Sequence, residues 1–231
     1  MKITLCLLTY NERPCLEQIF PLIPAPSPQA GFDQIVAIDG GSTDGTIEFY
    51  RERGIPVIGQ SRRGRGQAFL LAFEQIEADA YIFFSPDGNE DVADFAKFKP
   101  LLENGADLVI ASRMMPGAVN EEDHQLIKSR KWANNGLNLL ANLLFRRAGP
   151  FVTDSINGYR AITRRAAQEL KLDAVDYTIE YQMTIRSLKE KLKIVEFPTH
   201  EGQRVVGETG APSLPTGIRF LKRLWSEFRS A

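Results

Sequence analysis

Hydrophobic positions in the first half of the chain fall into two alternating patterns. Short apolar runs, typical of buried strands, are each followed by a longer stretch with helical spacing. The predicted strands are 3–8, 34–38, 56–58, 80–84 and 107–111, and the predicted helices are 14–22, 46–53, 66–76 and 92–102. Strands separated by helices of this length predict an α/β fold with a mainly parallel sheet and helices on both faces.

The second half of the chain has a less regular pattern. The predicted elements are a long helix at 128–147, a strand at 159–162, helices at 164–170 and 179–191, a strand at 194–197 and a loop at 201–215. The last segment, 216–231, predicts an amphipathic helix surrounded by basic residues. Its apolar stripe consists of Ile218, Leu221, Trp225 and Phe228. This pattern fits a helix at a membrane surface as well as a helix packed on the sheet.

Composition narrows the classes of function. The 231 residues carry 28 Lys and Arg against 29 Asp and Glu, so no overall basic field favours nucleic acid as a partner. Cys6 and Cys15 have neither the spacing of a disulfide framework nor that of a metal site. The N-terminus lacks a secretory pattern, and no apolar run reaches the ~18 residues of a transmembrane helix. We therefore expect a cytoplasmic protein that contacts a membrane only from its surface.

Polar residues and glycines follow the predicted strands. In a parallel sheet, ligands bind outside the carboxyl ends of the strands, so these loops should meet in one cleft. In segment 35–46, Asp39 ends a buried strand and Gly40 and Gly41 follow it. Such an aspartate can accept hydrogen bonds from ribose hydroxyls or a base. The same residues also suit a simple strand, turn and helix start, so the pattern alone leaves both interpretations open.

Six motifs in this order resemble family 2 glycosyltransferases and cover nearly the whole chain. They are TYNE at 9–12, IDGGSTDGT at 38–46, RGRG at 63–66, DSINGYRA at 154–161, Glu180, and RVVGET at 204–209. The last three resemble the subgroup typified by dolichol-phosphate mannose synthase. The resemblance implies a glycosyltransferase A-type fold. It further implies one catalytic domain at 1–215, with a nucleotide-binding half at 1–112 and an acceptor-binding half at 113–215, followed by the C-terminal helix at 216–231.

The resemblance also implies which residues hold a nucleoside diphosphate sugar. They are Thr9, Tyr10, Asn11, Glu12, Asp39, Gly41, Ser42, Gly64, Arg65, Asp87 and Arg113. Tyr10, Glu12 and Asp39 would surround the base and ribose. Gly64 and Gly66 would allow close passage of the donor. Arg65 and Arg113 would compensate the charge of the diphosphate, although a solvated position or a salt bridge at the rim of the cleft suits them equally.

A divalent metal ion is expected after the fourth predicted strand. The family usually carries Asp-x-Asp there, and in this sequence Ser85 takes the place of the first aspartate and Asp87 that of the second. An Mg²⁺ or Mn²⁺ ion on a diphosphate needs few protein ligands, because phosphate oxygens and water complete its shell. Asp87 and the amide oxygen of Asn89 are the predicted ligands. Glu90 and Asp91 are expected to cap the next helix, and an Asx-type turn is the alternative for the segment.

The predicted catalytic residues are Asp87, Asp154, Arg160 and Arg204. Arginine forks suit phosphate, and in the subgroup the positions of Arg160 and Arg204 lie near the acceptor phosphate. An acceptor phosphate needs no general base, whereas a hydroxyl acceptor does, and Asp154 and then Glu180 are the candidates. The lysine that the subgroup commonly carries near the end of this loop is absent from 207–210.

The sequence thus predicts an inverting, metal-dependent transfer of a hexose from a nucleoside diphosphate sugar of the GDP-mannose or UDP-glucose type. The predicted acceptor is a polyprenyl or dolichyl phosphate at the cytoplasmic membrane face. The alternatives are transfer to a glycan or soluble hydroxyl, and a non-catalytic nucleotide-sugar binding protein, which Ser85 suggests. A nucleotidyltransferase is disfavoured because 9–13 contains no glycine. His124 and His200 are expected at the surface, and the oligomeric state is not predicted.

Overall fold

A computed structural model describes residues 1–123, 128–205 and 213–230. The strands are β1 (Ile3–Thr9), β2 (Gln34–Asp39), β3 (Val57–Gly59), β4 (Ala80–Phe84), β5 (Leu108–Ser112), β6 (Arg160–Thr163) and β7 (Ile194–Pro198). The helices are α1 (Arg13–Ile19), α2 (Thr46–Glu52), α3 (Arg65–Gln75), α4 (Phe95–Glu103), α5 (Ser129–Phe145), α6 (Arg164–Leu170), α7 (Ile179–Lys189) and α8 (Ser213–Arg229). Short 3₁₀ turns at Phe20–Leu22 and Val92–Asp94 complete the elements.

The strands of the described residues form one sheet with the order β3-β2-β1-β4-β6-β5-β7. β1 pairs in parallel with β2 and β4, β2 with β3, and β5 with β7. Only β6 runs antiparallel, between β4 and β5. The prediction of a mainly parallel sheet is therefore confirmed. The antiparallel strand comes from the second half of the chain, so the two halves share one sheet.

Helices cover both faces of the sheet, as predicted. One apolar layer is formed by α3, α5, α6, α7 and α8 and includes Phe69, Leu137 and Phe220. The layer on the other face is formed by α1, α2 and α4 and includes Leu16 and Phe49. β1, β4 and β5 are buried along their whole length, because side chains on both sides of each strand meet a helical layer. This explains why their sequences are continuous apolar runs.

The boundaries of the elements differ from the predicted ones by a few residues. β1 extends to Thr9 and β2 to Asp39, so both polar residues belong to strand ends. The last helix begins at Ser213 instead of Thr216. The predicted loop 201–215 is therefore shorter at its C-terminal end, and its residues 206–212 lie outside the described part of the chain.

The helix α8 packs on the protein through the face opposite its predicted apolar stripe. Phe220 is buried against Tyr181, with ring centroids 5.5 Å apart, and the buried Glu227 accepts a hydrogen bond from Lys189. The helix thus anchors itself without using the stripe. The stripe residues are 49 to 62% exposed: Ile218, Leu221, Trp225 and Phe228. Within the described residues no helix combines the length and the apolar character that crossing a bilayer requires.

Candidate active site

The end of β2 carries a carboxylate whose hydrogen bonds come from the following turn and from the neighbouring strand β1. Asp39 is fully buried, and its Oδ1 accepts hydrogen bonds from the backbone amides of Gly41 and Ser42 at 2.9 and 2.7 Å. Its Oδ2 accepts from the hydroxyls of Thr9 and Ser42 at 3.0 and 2.6 Å. Gly41 has a φ of 90°, which glycine adopts without strain. The turn after β2 is therefore built around Asp39 before any ligand binds.

The loop after β1 is tied to the turn after β2. The amide of Asn11 donates to Ser42 Oγ at 2.8 Å, and its side-chain oxygen accepts from the amide of Thr43 at 2.9 Å. The amide of Glu12 donates to Thr46 Oγ1 at 3.0 Å. The residues predicted to surround a nucleotide in 9–12 and 39–46 consequently lie together at one edge of the sheet.

An aromatic ring and a guanidinium lie beside this turn. Tyr10 is 42% exposed, and the guanidinium of Arg63 lies 4.1 Å from the centroid of its ring. A Cβ at Gly40 would approach the Arg63 side chain at 3.1 Å and the Tyr10 ring at 3.3 Å, so glycine leaves room for the pair. Flat, exposed groups of this kind can stack on a nucleobase. Arg63 was not among the predicted site residues, although it belongs to the RGRG motif.

The glycines at the start of α3 have a packing role that the sequence did not indicate. A Cβ on Gly64 would collide with the carbonyl oxygen of Val175, and one on Gly66 with that of Ala174. The amide of Gly66 donates to the carbonyl of Asp176 at 3.1 Å. The close approach that requires glycine is therefore between two backbone segments of the protein, whereas the sequence prediction attributed it to passage of a donor.

The side chain of Arg65, the first residue of α3, lies next to Ser85, the residue that follows β4. Its guanidinium forms an ion pair with the buried carboxylate of Glu180 on α7 and donates to Ser85 Oγ at 3.2 Å. A side chain at position 158 would occupy the place of this guanidinium, so Gly158 makes room for it. Ser85, which replaces an aspartate of the family pattern, thus accepts a hydrogen bond from a cation.

Asp87 lies beyond the end of β4 and is paired with an arginine from a distant loop. Its side chain is buried, and one oxygen lies 2.5 Å from a terminal nitrogen of Arg204. The backbone amide of Val205 donates to the carbonyl of Asp87 at 3.0 Å, and that of Gly202 donates to the carbonyl of Asn89 at 2.9 Å. These backbone hydrogen bonds hold residues 202–205 against the 87–89 turn and so bring Arg204 to the carboxylate of Asp87.

Several carboxyl groups lie close enough to Asp87 to influence one another. Burial and then the charge of Asp87 raise the pKa of Glu12. The same two causes, in the same order, raise the pKa of Glu90 to about 8, while Arg65 opposes them. Burial also raises the pKa of Asp87, although Arg204 opposes this. Carboxyl groups therefore predominate around Asp87. A bound cation would stabilise their ionised forms.

The residues around Asp87 fit a divalent ion that takes few protein ligands. Within the described residues no cluster of three His, Cys, Asp or Glu side chains is arranged to hold a metal. A buried carboxylate at Asp87, the neighbouring Asn89 and the raised pKa of Glu90 are the features expected beside a cation that completes its shell with phosphate and water. Glu90 also accepts the amide hydrogen of Ser85 at 2.7 Å, which fixes the turn.

Asp154 is held behind Arg113. Its two oxygens accept hydrogen bonds from Nε and a terminal nitrogen of Arg113 at 2.8 and 3.0 Å, and it has no exposed surface. The other terminal nitrogen of Arg113 donates to Glu201 at 2.9 Å. Arg113 therefore joins the loop after β5 to residues 154 and 201. Arg113 and Glu201 line the candidate site, and Asp154 lies behind Arg113.

The structure changes the part that Arg160 can play. Its side chain is fully buried and donates to the carbonyl oxygens of Asn157 and Glu180 at 2.6 and 2.9 Å and to Thr184 Oγ1 at 3.1 Å. Burial lowers its pKa to about 10. A guanidinium enclosed in this way contacts no acceptor, in contrast to the predicted direct phosphate contact. It fixes the 155–157 loop and the start of α7 instead.

A cavity of about 790 Å³ connects these groups to two helices. One end is polar and is lined by Arg65, Ser85, Asp87, Asn89, Glu90, Arg113, Glu180, Glu201 and Arg204. The helices α5 and α8 line the rest of the cavity with the apolar side chains of Leu137, Leu140, Ile218, Phe220 and Leu221 and with the polar side chains of Ser129, Arg130, Asn134 and Thr216. The cavity thus combines a charged end near the strand ends with a largely apolar end between helices.

Some predicted residues fall outside this geometry, and others were missed. The segment 207–210 and His124 lie outside the described residues, and His200 is exposed as expected. Glu201 and the apolar wall of the cavity were not predicted. Helical spacing in α5 could have indicated that wall, because its leucines outnumber the positions that one buried face requires.

Comparison with known proteins assigns the chain to a family. The model of "Glycosyl transferase family 2" matches residues 4–170. A similar protein of Haloferax volcanii, the glycosyltransferase AglJ, is 32% identical over 205 residues, which cover 84% of this chain and 61% of the relative. The polyprenol monophosphomannose synthase of Mycolicibacterium smegmatis is 28% identical, covering 86% of this chain and 77% of that protein. The resemblance to the dolichol-phosphate mannose synthase subgroup is confirmed at this level.

The fold is shared with a solved enzyme. Glucosyl-3-phosphoglycerate synthase from Mycobacterium tuberculosis, in complex with Mn²⁺, UDP-glucose and phosphoglyceric acid, superposes with a TM-score of 0.73 at 20% identity, covering 99% of this chain and 80% of that one. The predicted glycosyltransferase A-type fold is confirmed. The motifs, the sheet and the match of the family model over most of the chain agree, and the chain belongs to glycosyl transferase family 2.

Proposed function

We propose that the protein transfers a hexose from a nucleoside diphosphate sugar to a polyprenyl phosphate, with inversion at the anomeric carbon. The observation that carries this proposal is the cavity itself, in which Asp87, Arg65, Arg113 and Arg204 share one space with apolar side chains of α5 and α8. A phosphorylated lipid has the matching distribution of charge and apolar surface. Relatives named for the transfer of mannose to polyprenol or dolichol phosphate support the same acceptor class.

The donor would bind across the ends of β1 and β2. Tyr10 and Arg63 offer flat surfaces for a base, and the prebuilt turn at Asp39 offers hydrogen-bonding groups near the ribose. The fixed turn keeps the entropic cost of binding low, because the loops are ordered by their own hydrogen bonds. The diphosphate would then lie toward Asp87, within reach of Arg65 and Arg113.

Asp87 and Asn89 would hold an Mg²⁺ or Mn²⁺ ion. When bound, such an ion neutralises the charge that develops on the leaving diphosphate. Crystal structures of glucosyl-3-phosphoglycerate synthase hold Mn²⁺ or Mg²⁺ together with UDP, which supports the use of a divalent ion. Arg204 is paired with Asp87, and the metal would compete with its guanidinium for the same carboxylate. Once displaced, Arg204 would be available to an acceptor phosphate.

The pairing of the candidate bases favours a phosphate over a hydroxyl acceptor. Asp154 accepts hydrogen bonds from Nε and one terminal nitrogen of Arg113, and Glu180 is paired with Arg65. Carboxylate oxygens that already accept hydrogen bonds from arginine are not free to accept the proton of a hydroxyl acceptor. An acceptor phosphate is already anionic near neutral pH and needs no such base. The arginines would bind and orient it, and Arg160 would hold the loop beneath them.

The decisive experiment offers the protein a labelled donor and three acceptors. GDP-mannose or UDP-glucose is incubated with undecaprenyl phosphate, with phosphoglyceric acid or with water alone, each with Mn²⁺ or with EDTA. The proposal expects label in the organic phase only with the lipid phosphate and Mn²⁺. Aqueous phosphoglyceric acid product, donor hydrolysis alone, or metal-dependent donor binding without turnover would each overturn it. The last outcome would establish the non-catalytic binding protein.

A further inference from the structure

We propose that the ring of Tyr177 is the surface on which the transferred hexose of the donor stacks. Tyr177 lies two residues before α7, lines the cavity and is 37% exposed. The inference rests on the proposed function, because it assumes a nucleoside diphosphate sugar as the donor. It adds a contact to the sugar itself, which neither the sequence motifs nor the proposed donor site contains.

The backbone on both sides of Tyr177 is held in place. The amide of Gly66, the residue after Arg65, donates to the carbonyl of Asp176 at 3.1 Å. The amide and the hydroxyl of Thr178 donate to the carboxylate of Asp176 at 3.0 and 2.7 Å. The backbone of Tyr177 is therefore fixed relative to the start of α3. A segment that is already ordered binds a ligand at a low entropic cost.

On one side, Tyr177 neighbours a group that would hold the diphosphate. Glu180 on α7 forms an ion pair with Arg65, and Tyr177 lies within electrostatic range of the same guanidinium. Arg65, Tyr177 and Glu180 all line the cavity, together with Asp87. The ring thus lies at the charged end of the cavity, next to a cation that suits a diphosphate.

On the other side, Tyr177 neighbours the N-terminal end of α5. The hydroxyl of Tyr181 donates to the carbonyl of Leu137 at 2.9 Å, and Lys189 Nζ lies 5.1 Å from the centroid of the Phe145 ring. These two contacts are separated by the same number of residues on α7 and on α5, so the helices run parallel. The same alignment places Tyr177 beside the N-terminal end of α5, which also lines the cavity.

This position is the one that a transferred hexose must occupy. In an inverting transfer the sugar lies between the leaving diphosphate and the attacking acceptor. Under the proposed function, the diphosphate would lie near Asp87 and Arg65, and the acceptor chain would lie along the apolar side chains of α5 and α8. Tyr177 lies between these two parts of the cavity. Its ring is therefore available to the hexose and is separate from Tyr10, which would contact the base.

The polar groups beside the ring also suit a sugar. One face of a pyranose presents C–H groups that can stack on an aromatic ring, whereas its edge carries hydroxyl groups that need hydrogen-bond partners. The hydroxyl of Tyr177 and the side-chain amide of Asn134 line the cavity, and neither forms a hydrogen bond with another described residue. An isoprenoid chain would cover both groups without a partner, which is unfavourable. The hexose is therefore the better occupant.

Calorimetric titrations with the nucleotide and with the nucleotide sugar separate the two parts of the donor. UDP, UDP-glucose, GDP and GDP-mannose are each titrated into the protein with Mn²⁺ and without acceptor. Tyr177→Ala should raise the Kd for the nucleotide sugar about five- to tenfold, as expected for loss of an aromatic contact, and the Kd for the nucleotide by less than about twofold. Tyr177→Phe keeps the ring and should stay within about threefold of the unchanged protein.

Two further variants show whether the effect is specific to the sugar. Val175→Ala changes a side chain of the same segment that is 48% exposed and lies outside the lining of the cavity. It should leave the dissociation constants of nucleotide and nucleotide sugar unchanged. Tyr10→Ala should raise both constants by the same factor, because the base belongs to both ligands. Thermal melts should show that all four variants are folded.

Three results with Tyr177→Ala would overturn the inference. They are an equal loss of affinity for nucleotide and nucleotide sugar, unchanged binding of both, and an effect confined to the KM of polyprenyl phosphate. The last result would identify the acceptor chain as the group that contacts the ring.

The titrations contain no acceptor and so separate this test from the proposed function. Transfer to polyprenyl phosphate with unchanged donor binding by Tyr177→Ala would overturn the inference alone. A loss of affinity specific to the nucleotide sugar, without any transfer to the lipid phosphate, would overturn the proposed function alone. Failure of both nucleotide sugars to bind the unchanged protein would overturn both.

Discussion

Asp39 at the end of β2 and Asp87 beyond the end of β4 are both buried next to β1, yet their negative charges are stabilised in different ways. Asp39 accepts from neutral amides and hydroxyls, two of the groups belonging to Ser42 in the same turn. Asp87 is paired with the guanidinium of Arg204, which comes from the other half of the chain. Three of the four hydrogen bonds to Asp39 come from the turn that follows it and one comes from Thr9 on the neighbouring β1, whereas the ion pair of Asp87 depends on residues 202–205 lying against the 87–89 turn.

This difference separates a scaffold from an exchangeable site. Four neutral donors, three from the turn and one from Thr9, leave Asp39 no free lone pair of good geometry, so under the proposed function it would hold the donor loops in place. A single arginine on Asp87 can be replaced by another cation without rebuilding the backbone. We infer that the nucleotide side is preorganised and that the metal and acceptor side exchanges partners.

The largest expected effect is on transfer by Asp87→Asn. Loss of the charged ligand should lower the transfer rate roughly a hundredfold to a thousandfold, which is typical for removal of one electrostatic stabiliser of the leaving group. Rates are measured at saturating Mn²⁺ and donor. Asp91→Asn is the control from the same segment, because Asp91 only caps the following 3₁₀ turn; its rate should stay within about twofold. Equal rates for Asp87→Asn and the unchanged protein would remove Asp87 from the site.

Asp39→Asn should act on stability more than Asp87→Asn does. The amide nitrogen that replaces one carboxylate oxygen would face hydrogen-bond donors. The loss of charge-assisted hydrogen bonds should lower the unfolding free energy by about 2 to 3 kcal/mol. Urea unfolding measures it. Asp79→Asn is the control, because Asp79 is an exposed carboxylate at a strand start with one backbone partner, Lys2; it should lose less than about 1 kcal/mol. A stable Asp39→Asn protein would contradict the scaffold role.

Gly66→Ala tests the packing that carries Arg65 into the site. The new methyl group would meet the carbonyl oxygen of Ala174, and overpacking of this kind should cost about 1 to 3 kcal/mol of unfolding free energy. Gly136→Ala is a matched change in the middle of α5, where no atom lies within 4 Å of the added Cβ. It should stabilise the protein by about 0.5 to 1 kcal/mol, because alanine favours a helix. Denaturant midpoints of both variants decide the matter.

The last prediction concerns the pH dependence of stability, which is measured as a slope and not as a single free-energy difference. The pKa of Glu90 is raised to about 8 in the folded protein, so the folded state binds its proton more tightly than the unfolded state does. Unfolding free energy, measured in EDTA, should therefore fall as pH rises from about 5 to about 8, by up to roughly 1 kcal/mol per pH unit from this group. Glu90→Gln should flatten this slope, and the exposed control Glu77→Gln should not.

Adding Mn²⁺ to the same experiment tests whether the metal binds beside Asp87. A cation bound beside Asp87 favours the ionised form of Glu90, so the decline of stability with pH should become smaller when the metal is present. An identical slope with and without Mn²⁺ would place the metal elsewhere. Asp39 should contribute nothing to this difference, because its oxygens are occupied by the turn.

The positions of most helices and strands followed from hydrophobic periodicity. β4 and α6 have the predicted bounds, and the other described strands begin or end within a residue or two of theirs. The spacing of strands and helices also predicted the parallel pairing. The antiparallel place of β6 between β4 and β5 was not predictable in this way, because strand order depends on contacts between distant segments that no local period records.

The same distinction between local pattern and distant contacts applies to the candidate site. The motifs predicted that residues 9–12 and 39–46 belong together, since both follow neighbouring strands. They did not predict that Arg160 would be enclosed or that Asp154 would lie behind Arg113. Residue type indicates which groups can bind phosphate. Burial and competing partners decide which of them are free to do so.

The sequence by itself determined the strands and helices, the turn around Asp39 and the family, because these depend on local periodicity and on motifs of adjacent residues. Only the tertiary structure decided that Arg204 reaches Asp87, that Gly66 meets the backbone of Ala174, and that the apolar stripe of α8 faces outward. Each of these depends on where a distant segment lies. An amphipathic pattern specifies a face, and the packing of the whole chain specifies what that face meets.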